Sequence, residues 1–583
     1  MSRPPTRLER QKRLKTRALP LLAIAFVAFI VGVIEGCPGS PNRDLAENYA
    51  EAWREHDYAK MHSLLSTKSQ EAIPLERFQK RYEQSEGMAT LKSLDPDGAE
   101  GDETNAEVPI TAETLAFGEI KQPLDFTFGS DGIAFQNNLL FPGLKLDQEL
   151  ARTTKLPPRA SILASNGEAM AEGPSLAREH PLGDSMIDVT GVVAEPDAEA
   201  DATANLALGF SPGEPTGVSG LELAYNGRLA GKPGGTLSAT PIDGGGDAAG
   251  QKLGTGQPAE AKPLKTTIDV DIQNSAVENL AGQSGGVAAL DTRTGRVKAL
   301  AGQAFSFLAP PGSTMKIITA TAGLENDKVA MDDQFEFATS GIADGREISN
   351  AHNEVCGGSF VDAFADSCNS VFAPLAMEIG EEDMTSTAEA FGFNRAPAIF
   401  NAEGTEAVMS SLPTSIVPTM PTPGNYNNEL GVSGIGQGTV QATPLLMASA
   451  AQAIANGGKS LSTPIVFEKD LLPDVEPTQV ASKKTVAEVA ELMVAVVTQG
   501  TGQAAAISEA QVAGKTGTAE VGPRGGGEVD AEGDPDLIED AWFAGFAPSD
   551  KPQLAVGVML IDASADGGTV AAPIAGAVLA SGL

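Results

Sequence analysis

The chain has 583 residues, 42% of them hydrophobic and 20% charged. At about 150 residues per domain this suggests three or four domains, and the composition excludes a disordered or collagen-like chain. A net charge of −37 repels phosphate and argues against general nucleic-acid binding. Three cysteines cannot form a disulfide-dense scaffold, and four histidines leave little room for a histidine-rich metal site.

The charge is unevenly divided. Residues 1–17 carry seven basic side chains and one acid, and Ala18 to Ile34 then run without a charge. As a helix that run is about 25 Å long, near the short limit for crossing a bilayer. The pattern predicts a membrane anchor over 18–36, with the basic segment 1–17 in the cytoplasm and everything after it outside the cell membrane. A cleaved signal peptide is one alternative, and a lipoprotein using Gly36-Cys37 is another.

Residues 41–150 read as a small α+β domain. Leu45, Tyr49, Ala52 and Trp53 recur at helical spacing, His56-Asp57 interrupts, and Tyr58, Met61, Leu64 and Leu65 continue an apolar face. A further helical piece covers about 75–86. Short strands are expected at Thr111–Phe117, Phe126–Phe128 and Ala134–Phe141. His56 and His62 do not share a helical face and read as ordinary boundary residues. Residues 155–263 are rich in Gly, Pro, Ala and acids and read as an extended platform, with loops or short strands over Leu176–Pro181 and Pro233–Ala261. From 264 to 583 the texture is that of a long mixed α and β domain. Thr266–Val270 is expected as a strand, Ile272–Leu280 as a helix, and Gly286–Asp291 with Arg296–Ala301 as a hairpin around Thr294-Gly295.

Three segments of this last domain carry chemistry. In Pro311-Gly312-Ser313-Thr314-Met315-Lys316 a turn precedes a helix expected over Thr314–Leu324. Ser313 sits at its start, with Lys316 one turn on along the same face. A serine hydroxyl is a weak nucleophile and needs a base. A lysine serves if burial or a neighbouring positive charge lowers its pKa, and the helix start offers N–H groups to an oxyanion. In Ser367-Cys368-Asn369 a hydroxyl able to relay a proton lies two residues from an amide able to hold a carbonyl or the lysine. Lys515-Thr516-Gly517-Thr518 reads as an edge strand beside a pocket. There Gly517 permits close backbone approach by a ligand, Lys515 and the threonine hydroxyls suit a carboxylate, and the Thr518 N–H suits an oxyanion. Each segment alone has a structural explanation, as a serine cap, a polar turn or a surface strand. All three in this order within one domain do not.

On these motifs the chain resembles a class B penicillin-binding protein, a membrane-anchored peptidoglycan D,D-transpeptidase. Pro158-Arg159 with Asn166-Gly167, Gly220-Leu221-Glu222, Tyr225-Asn226 and Gly231-Lys232-Pro233-Gly234 are similar to the family's platform signatures. Thr267-Ile268-Asp269, Gly436-Gln437-Gly438, Thr443-Pro444-Leu445 and Trp542-Phe543-Ala544-Gly545-Phe546 are similar to transpeptidase-domain segments. Ala160 and Ser165 depart from the pattern, as does Met315, and the usual Pro-x-x-Asp-Pro-Asn loop is missing. Residues 41–150, through Trp53, Asp57-Tyr58, Met61 and Leu64-Leu65-Ser66, resemble the NTF2-like domain of low-affinity, resistance-type members. The implied fold is multidomain α+β, ending in a β-lactamase-like transpeptidase domain of antiparallel sheet and helices.

The resemblance implies that Ser313 is the nucleophile, Lys316 its base, Ser367 a proton relay and Asn369 an orienting amide. It gives carboxylate binding to Lys515, Thr516 and Thr518, and the oxyanion hole to the N–H groups of Ser313 and Thr518. Neither metal nor organic cofactor is required. Expected partners are peptidoglycan stem peptides, β-lactams as inhibitors, the cytoplasmic membrane and proteins of a cell-wall synthesis complex. A D,D-carboxypeptidase or endopeptidase, a β-lactam sensor or β-lactamase, and a non-catalytic scaffold remain as alternatives. Cys356 and Cys368, which flank the approach to the Ser-x-Asn turn, can form a disulfide outside the membrane or stay as free buried thiols. His352 beside Glu354 does not make a metal site. Gly525–Asp540, with seven acids, is expected as a mobile hairpin loop near the pocket mouth.

Overall fold

The computed structural model describes residues 41–101, 104–195, 205–211, 214–242, 250–397, 399, 418–472, 475–523 and 537–583. The basic segment 1–17, the anchor expected over 18–36, the Gly36-Cys37 site and residues 525–536 of the acidic loop lie outside them. No helix among the described residues is long and apolar enough to cross a membrane. Contacts divide the chain into two units. One comprises Met1–Lys155, Thr203–Ser211 and Pro233–Pro258; the other comprises Leu156–Ala202, Pro212–Lys232 and Ala259–Leu583. Residues 155–263 therefore contribute to both.

The first unit begins with four helices: Pro41–Arg54 (α1), Tyr58–Ser63 (α2), Thr67–Ala72 (α3) and Leu75–Ala89 (α4). Helical spacing puts Tyr49, Ala52 and Trp53 of α1 and Phe78 and Tyr82 of α4 in one buried cluster. The break at His56-Asp57 has a cause. His56 takes a left-handed φ of 55°, and the Asp57 side chain caps α2 by accepting from the Lys60 N–H. Leu91–Pro96 (β1), Asn105–Thr114 (β2) and Gly118–Thr127 (β3) form an antiparallel sheet with β2 between the other two. Gln148–Lys155 (β4), Gly234–Pro241 (β5) and Gln251–Gly256 (β6) form a second, with β5 central.

One expectation changes here. Ala134–Phe141 is not a strand, because Asn137–Leu140 makes a 3-10 turn. Its carbonyls are taken by helix side chains, with Tyr82 Oη donating to Leu139 O and Ser85 Oγ to Leu140 O, both at 2.7 Å. The Pro233–Ala261 stretch, expected as loops or short strands, supplies the eight-residue β5 and the six-residue β6. Alternation of Leu237 and Ala239 turns one face of β5 into the core of this unit.

In the second unit, Gly220–Ala224 (α5) and Asn226–Ala230 (α6) surround a buried charge cluster. The Glu222 carboxylate receives Arg159 at 2.6 Å and Arg178 at 2.7 Å, with all three side chains nearly inaccessible. Arg159 also donates to Asn226 Oδ1 and Glu222 O, both at 3.0 Å. The signature residues of the platform are thus a salt-bridged core. Val270–Leu280 (α7) follows. The strand expected at Thr266–Val270 is only an isolated bridge from Thr266 to Val466, and Val270 opens the helix instead.

Gly285–Asp291 (β7) and Val297–Gly302 (β8) form the expected hairpin. After it come a 3-10 turn over Gly312–Met315, which runs into Lys316–Glu325 (α8), and then Gln334–Ala338 (β9), Ser340–Ala343 (β10), Arg346–Ser349 (β11) and Cys356–Ser359 (β12). Phe360–Ala365 (α9), Asn369–Ile379 (α10), Pro444–Ala455 (α11) and Lys483–Thr498 (α12) precede Ala513–Pro523 (β13), Leu537–Ala547 (β14), Leu554–Leu560 (β15) and Ala571–Ser581 (α13). Leu537–Asp540, assigned above to the acidic loop, belongs to β14 and pairs with Ala519–Pro523.

The main sheet is five-stranded and antiparallel, in the order β8-β7-β15-β14-β13. Both faces are covered, so β14 reads as an unbroken apolar run from Ala541 to Ala547. Trp542, Ala544 and Phe546 face the cluster containing residues of α8, α11 and α12, and Ala541, Phe543 and Ala547 face that of α7 and α13. β13, which carries Lys515, is an outer strand.

Removing one partner from a buried ion cluster strands the others without solvent. Glu222→Ala should destabilise the second unit by about 3–5 kcal/mol. Denaturant unfolding read through Trp542, in a Trp53→Phe background, checks this. Trp53 and Trp542 are the two tryptophans of the chain, one in each unit.

Candidate active site

The three segments meet around one amine. The 3-10 turn at Gly312–Met315 sets Ser313 at the head of α8, and Lys316 one turn on points back to it, with Nζ 2.9 Å from Ser313 Oγ. The Ser-x-Asn segment comes from the α9–α10 junction. Ser367 there holds a left-handed φ of 62°, a conformation rarely adopted by serine, and turns its carbonyl and hydroxyl onto the same nitrogen at 2.6 and 3.1 Å. Asn369 Oδ1 lies 2.7 Å from it. The Asn369 amide cannot flip, because its Nδ2 donates to Ser349 O at 2.9 Å.

This geometry constrains the protonation state. Lys316 is completely buried and Phe372 covers it, with Nζ 5.6 Å from the ring centre. Among the described residues no carboxylate forms an ion pair with it. Burial, and then the charge of Lys515, hold its pKa well below a lysine's usual range. As a neutral amine it has two N–H donors and one lone pair. Ser367 O and Asn369 Oδ1 can only accept, so they take the donors. The lone pair is left for the hydroxyls of Ser313 and Ser367.

Lys515 is also fully buried, near the Phe364 ring, and donates to Thr516 O at 3.1 Å. Burial lowers its pKa to about 7, against the opposing pull of Asp366. β13 lies hard against the nucleophile turn. Gly312 has φ 52°, and a Cβ there would sit 2.5 Å from Thr518 O; a Cβ on Gly517 would sit 2.7 Å from Pro311 O. Both positions need glycine. In an antiparallel ladder the N–H and C=O of one residue point the same way. Thr518 O faces Gly312, so the Thr518 N–H also faces the nucleophile side of the strand. Ser313 and Thr518 are half-buried, with Lys515, Thr516 and Gly517 buried behind them.

Ser313, Lys316, Ser367 and Asn369 are therefore in direct contact through one nitrogen, and Thr516, Gly517 and Thr518 line the adjoining strand. Cys356 and Cys368 are joined in a disulfide with Cα atoms 5.9 Å apart, which ties β12 to the middle of the Ser-x-Asn segment. Among the described residues no cluster of His, Cys, Asp or Glu could hold a metal ion. His62 bonds Ile73 O at 2.8 Å and His56 lies 3.2 Å from Trp53 O. Sequence reasoning missed Thr501, whose hydroxyl is 2.6 Å from that of Thr516, and Gly567, whose N–H donates to Thr518 Oγ1 at 3.3 Å. Neither lies in a motif, and only the fold brings them to β13.

Comparison with known proteins concerns the domains that carry this site. Residues 285–580 match the penicillin binding protein transpeptidase domain, and residues 173–257 match the penicillin-binding protein dimerisation domain. Peptidoglycan D,D-transpeptidase PbpA of Mycolicibacterium smegmatis is 32% identical over 302 residues, covering 49% of this chain and 57% of that protein. Penicillin-binding protein 3 of Bacillus subtilis is 23% identical over 472 residues, 73% of this chain and 66% of that one. The chain thus spans little more than half the length of PbpA. Among solved structures, Pseudomonas aeruginosa PBP2 in complex with WCK 5153 superposes with a TM-score of 0.59 at 24% identity, over 74% of this chain and 96% of that one. The D,D-transpeptidase domain of a peptidoglycan glycosyltransferase from Eggerthella lenta gives 0.55 at 24%, over 73% and 98%. With its transpeptidase domain matched over half its length behind a dimerisation domain, the chain belongs to the penicillin-binding protein transpeptidase family, in the class B arrangement.

Proposed function

We propose that the chain is a serine-type peptidoglycan D,D-transpeptidase that is acylated by β-lactams. The observation that carries this is the buried Lys316 amine 2.9 Å from Ser313 Oγ. Neutral Lys316 takes the Ser313 proton as Oγ attacks the carbonyl of the penultimate D-alanine of a stem peptide. The N–H groups of Ser313 and Thr518 hold the oxyanion. Ser367, in contact with the same amine, passes the proton to the departing D-alanine nitrogen. Lys515, Thr516 and Thr518 receive the terminal carboxylate, and Asn369 orients Lys316 and the acyl amide. The amine of a second stem then attacks the ester, its proton passing through neutral Lys316 to Ser313 Oγ as the ester C–O bond breaks, and the crosslink is left. A β-lactam carbonyl follows the same path as far as the acyl-enzyme.

The proposal includes the setting of the enzyme. An uncharged run behind a basic segment supports a single-pass anchor with the catalytic domain outside the cell membrane. Helices packed on an antiparallel sheet support the NTF2-like reading of the first unit, whose role is that of a spacer.

Ser313→Ala should abolish covalent labelling by a fluorescent penicillin, and persistent labelling would remove Ser313 from the mechanism. Lys316→Ala should slow acylation about 100-fold or more, as expected for loss of a general base; stopped-flow acylation measures this. The base acts when neutral, so the rate should rise with pH and level off well below the usual range of a lysine. Lys515→Ala removes the charge that helps depress Lys316, so the acid limb of that profile should move to higher pH. Incubation with a stem pentapeptide and an acceptor amine should give crosslinked product; release of D-alanine with water alone as acceptor would make the chain a carboxypeptidase.

A further inference from the structure

Asn369 and Ser367 hold Lys316 only if the start of α10 stays where it is, and the local sequence does little to keep it there. The residue before the helix, Cys368, makes no side-chain capping bond, and its sulfur is committed to Cys356. Ser367 adopts a left-handed conformation without being glycine, asparagine or aspartate. A helix start leaves backbone N–H groups without partners, and the cap residue usually supplies an acceptor to one of the next few.

Here that acceptor comes from a distant segment. Asn350, which follows β11, is buried, and its Oδ1 accepts the Ser370 N–H at 2.8 Å. Its orientation is settled by its own neighbours. Nδ2 donates to Ala338 O and Glu354 O, both at 2.9 Å, and its backbone N–H donates to Thr339 O at 2.8 Å. Both carbonyls can only accept, so the amide oxygen must face Ser370. One residue earlier, Ser349 O takes the Asn369 amide at 2.9 Å. Ser349-Asn350 therefore grips Asn369, the last residue of the Ser-x-Asn segment, through its side chain, and Ser370, which follows it, through its backbone N–H.

We propose that Asn350 is a positioning residue: it caps α10 from outside the helix and thereby sets Ser367 and Asn369 around Lys316. It touches no reacting atom and acts through the segment that does. The proposal rests on the acyl-transfer function given above, and its test separates the two.

In the full chain, Asn350→Ala should speed amide hydrogen exchange at least tenfold in peptides covering 367–372, with β14 and β15 unchanged. It should slow the acylation step by a penicillin about 10–100-fold, the cost of a small misplacement of catalytic groups. The non-covalent binding constant and the fraction finally labelled should stay near those of the parent chain. Asn350→Ser, which leaves a smaller void and a hydroxyl too short to reach Ser370, serves if the alanine variant does not fold, and the same pattern is expected of it. Exchange and acylation both equal to the parent's would overturn the proposal. So would faster exchange spread evenly over the main sheet with a reduced labelled fraction, since that marks general destabilisation. A parent chain that no penicillin acylates would end the transpeptidase reading, while the exchange comparison would still decide what Asn350 holds.

Discussion

An amine placed in a dry site, with no counter-charge among the described residues, governs the rest of the second unit. Desolvation makes the charged form of Lys316 costly, and Lys515 nearby makes it costlier. The structure offers it carbonyl oxygens rather than a carboxylate: Ser367 O and Asn369 Oδ1. A carboxylate would have held the proton in place and silenced the base. Neutral acceptors orient the nitrogen while leaving its lone pair for hydroxyls. The fold therefore accepts lower stability in return for a reactive group. Lys515 releases its proton near pH 7 when folded and near 10.4 when unfolded. Folding is thus opposed by proton binding to the unfolded chain, and stability rises with pH between those values.

Keeping such a site dry and exact requires backbone to meet backbone. Gly312 lies against Thr518, Gly517 against Pro311, and the Gly312 N–H bonds Gly436 O at 2.9 Å. Three chain segments far apart in sequence approach more closely there than any side chain would permit. The glycine-bearing motifs are the contact points, and the reactive residues stand beside them. The aromatic rings of Phe364 and Phe372 complete the enclosure by taking the place of water next to the two lysines.

Much of this was legible in the amino-acid sequence because the chemistry is local. Ser313 and Lys316 share a face through helix geometry alone, and Lys515 to Thr518 read as an outer strand from its glycine and flanking apolar residues. The hairpin of β7 and β8 and the helix α7 follow from periodicity. Ala134–Phe141 misled because its apolar and aromatic ends suggest a buried strand, while the carbonyls of Leu139 and Leu140 are satisfied by Tyr82 and Ser85 from α4. Asn350 and Thr501 were invisible for a different reason. Each works by meeting a distant segment, and no spacing rule announces such a meeting. The pairing of Cys356 with Cys368 was also open, since two cysteines near a turn are equally consistent with free thiols.

The interleaving of the two units has a consequence for taking the molecule apart. β5 and β6 reach the first unit only after the chain has contributed Arg159 and Glu222 to the second. A fragment stopping at Lys155 would leave β4 as a bare edge, with all eight of its residue pairings to β5 gone and an aggregation-prone rim in their place. A soluble piece of the amino-terminal half therefore has to carry residues 233–258 with it, spliced or permuted, whereas a cut just before residue 264 leaves every strand of the main sheet intact.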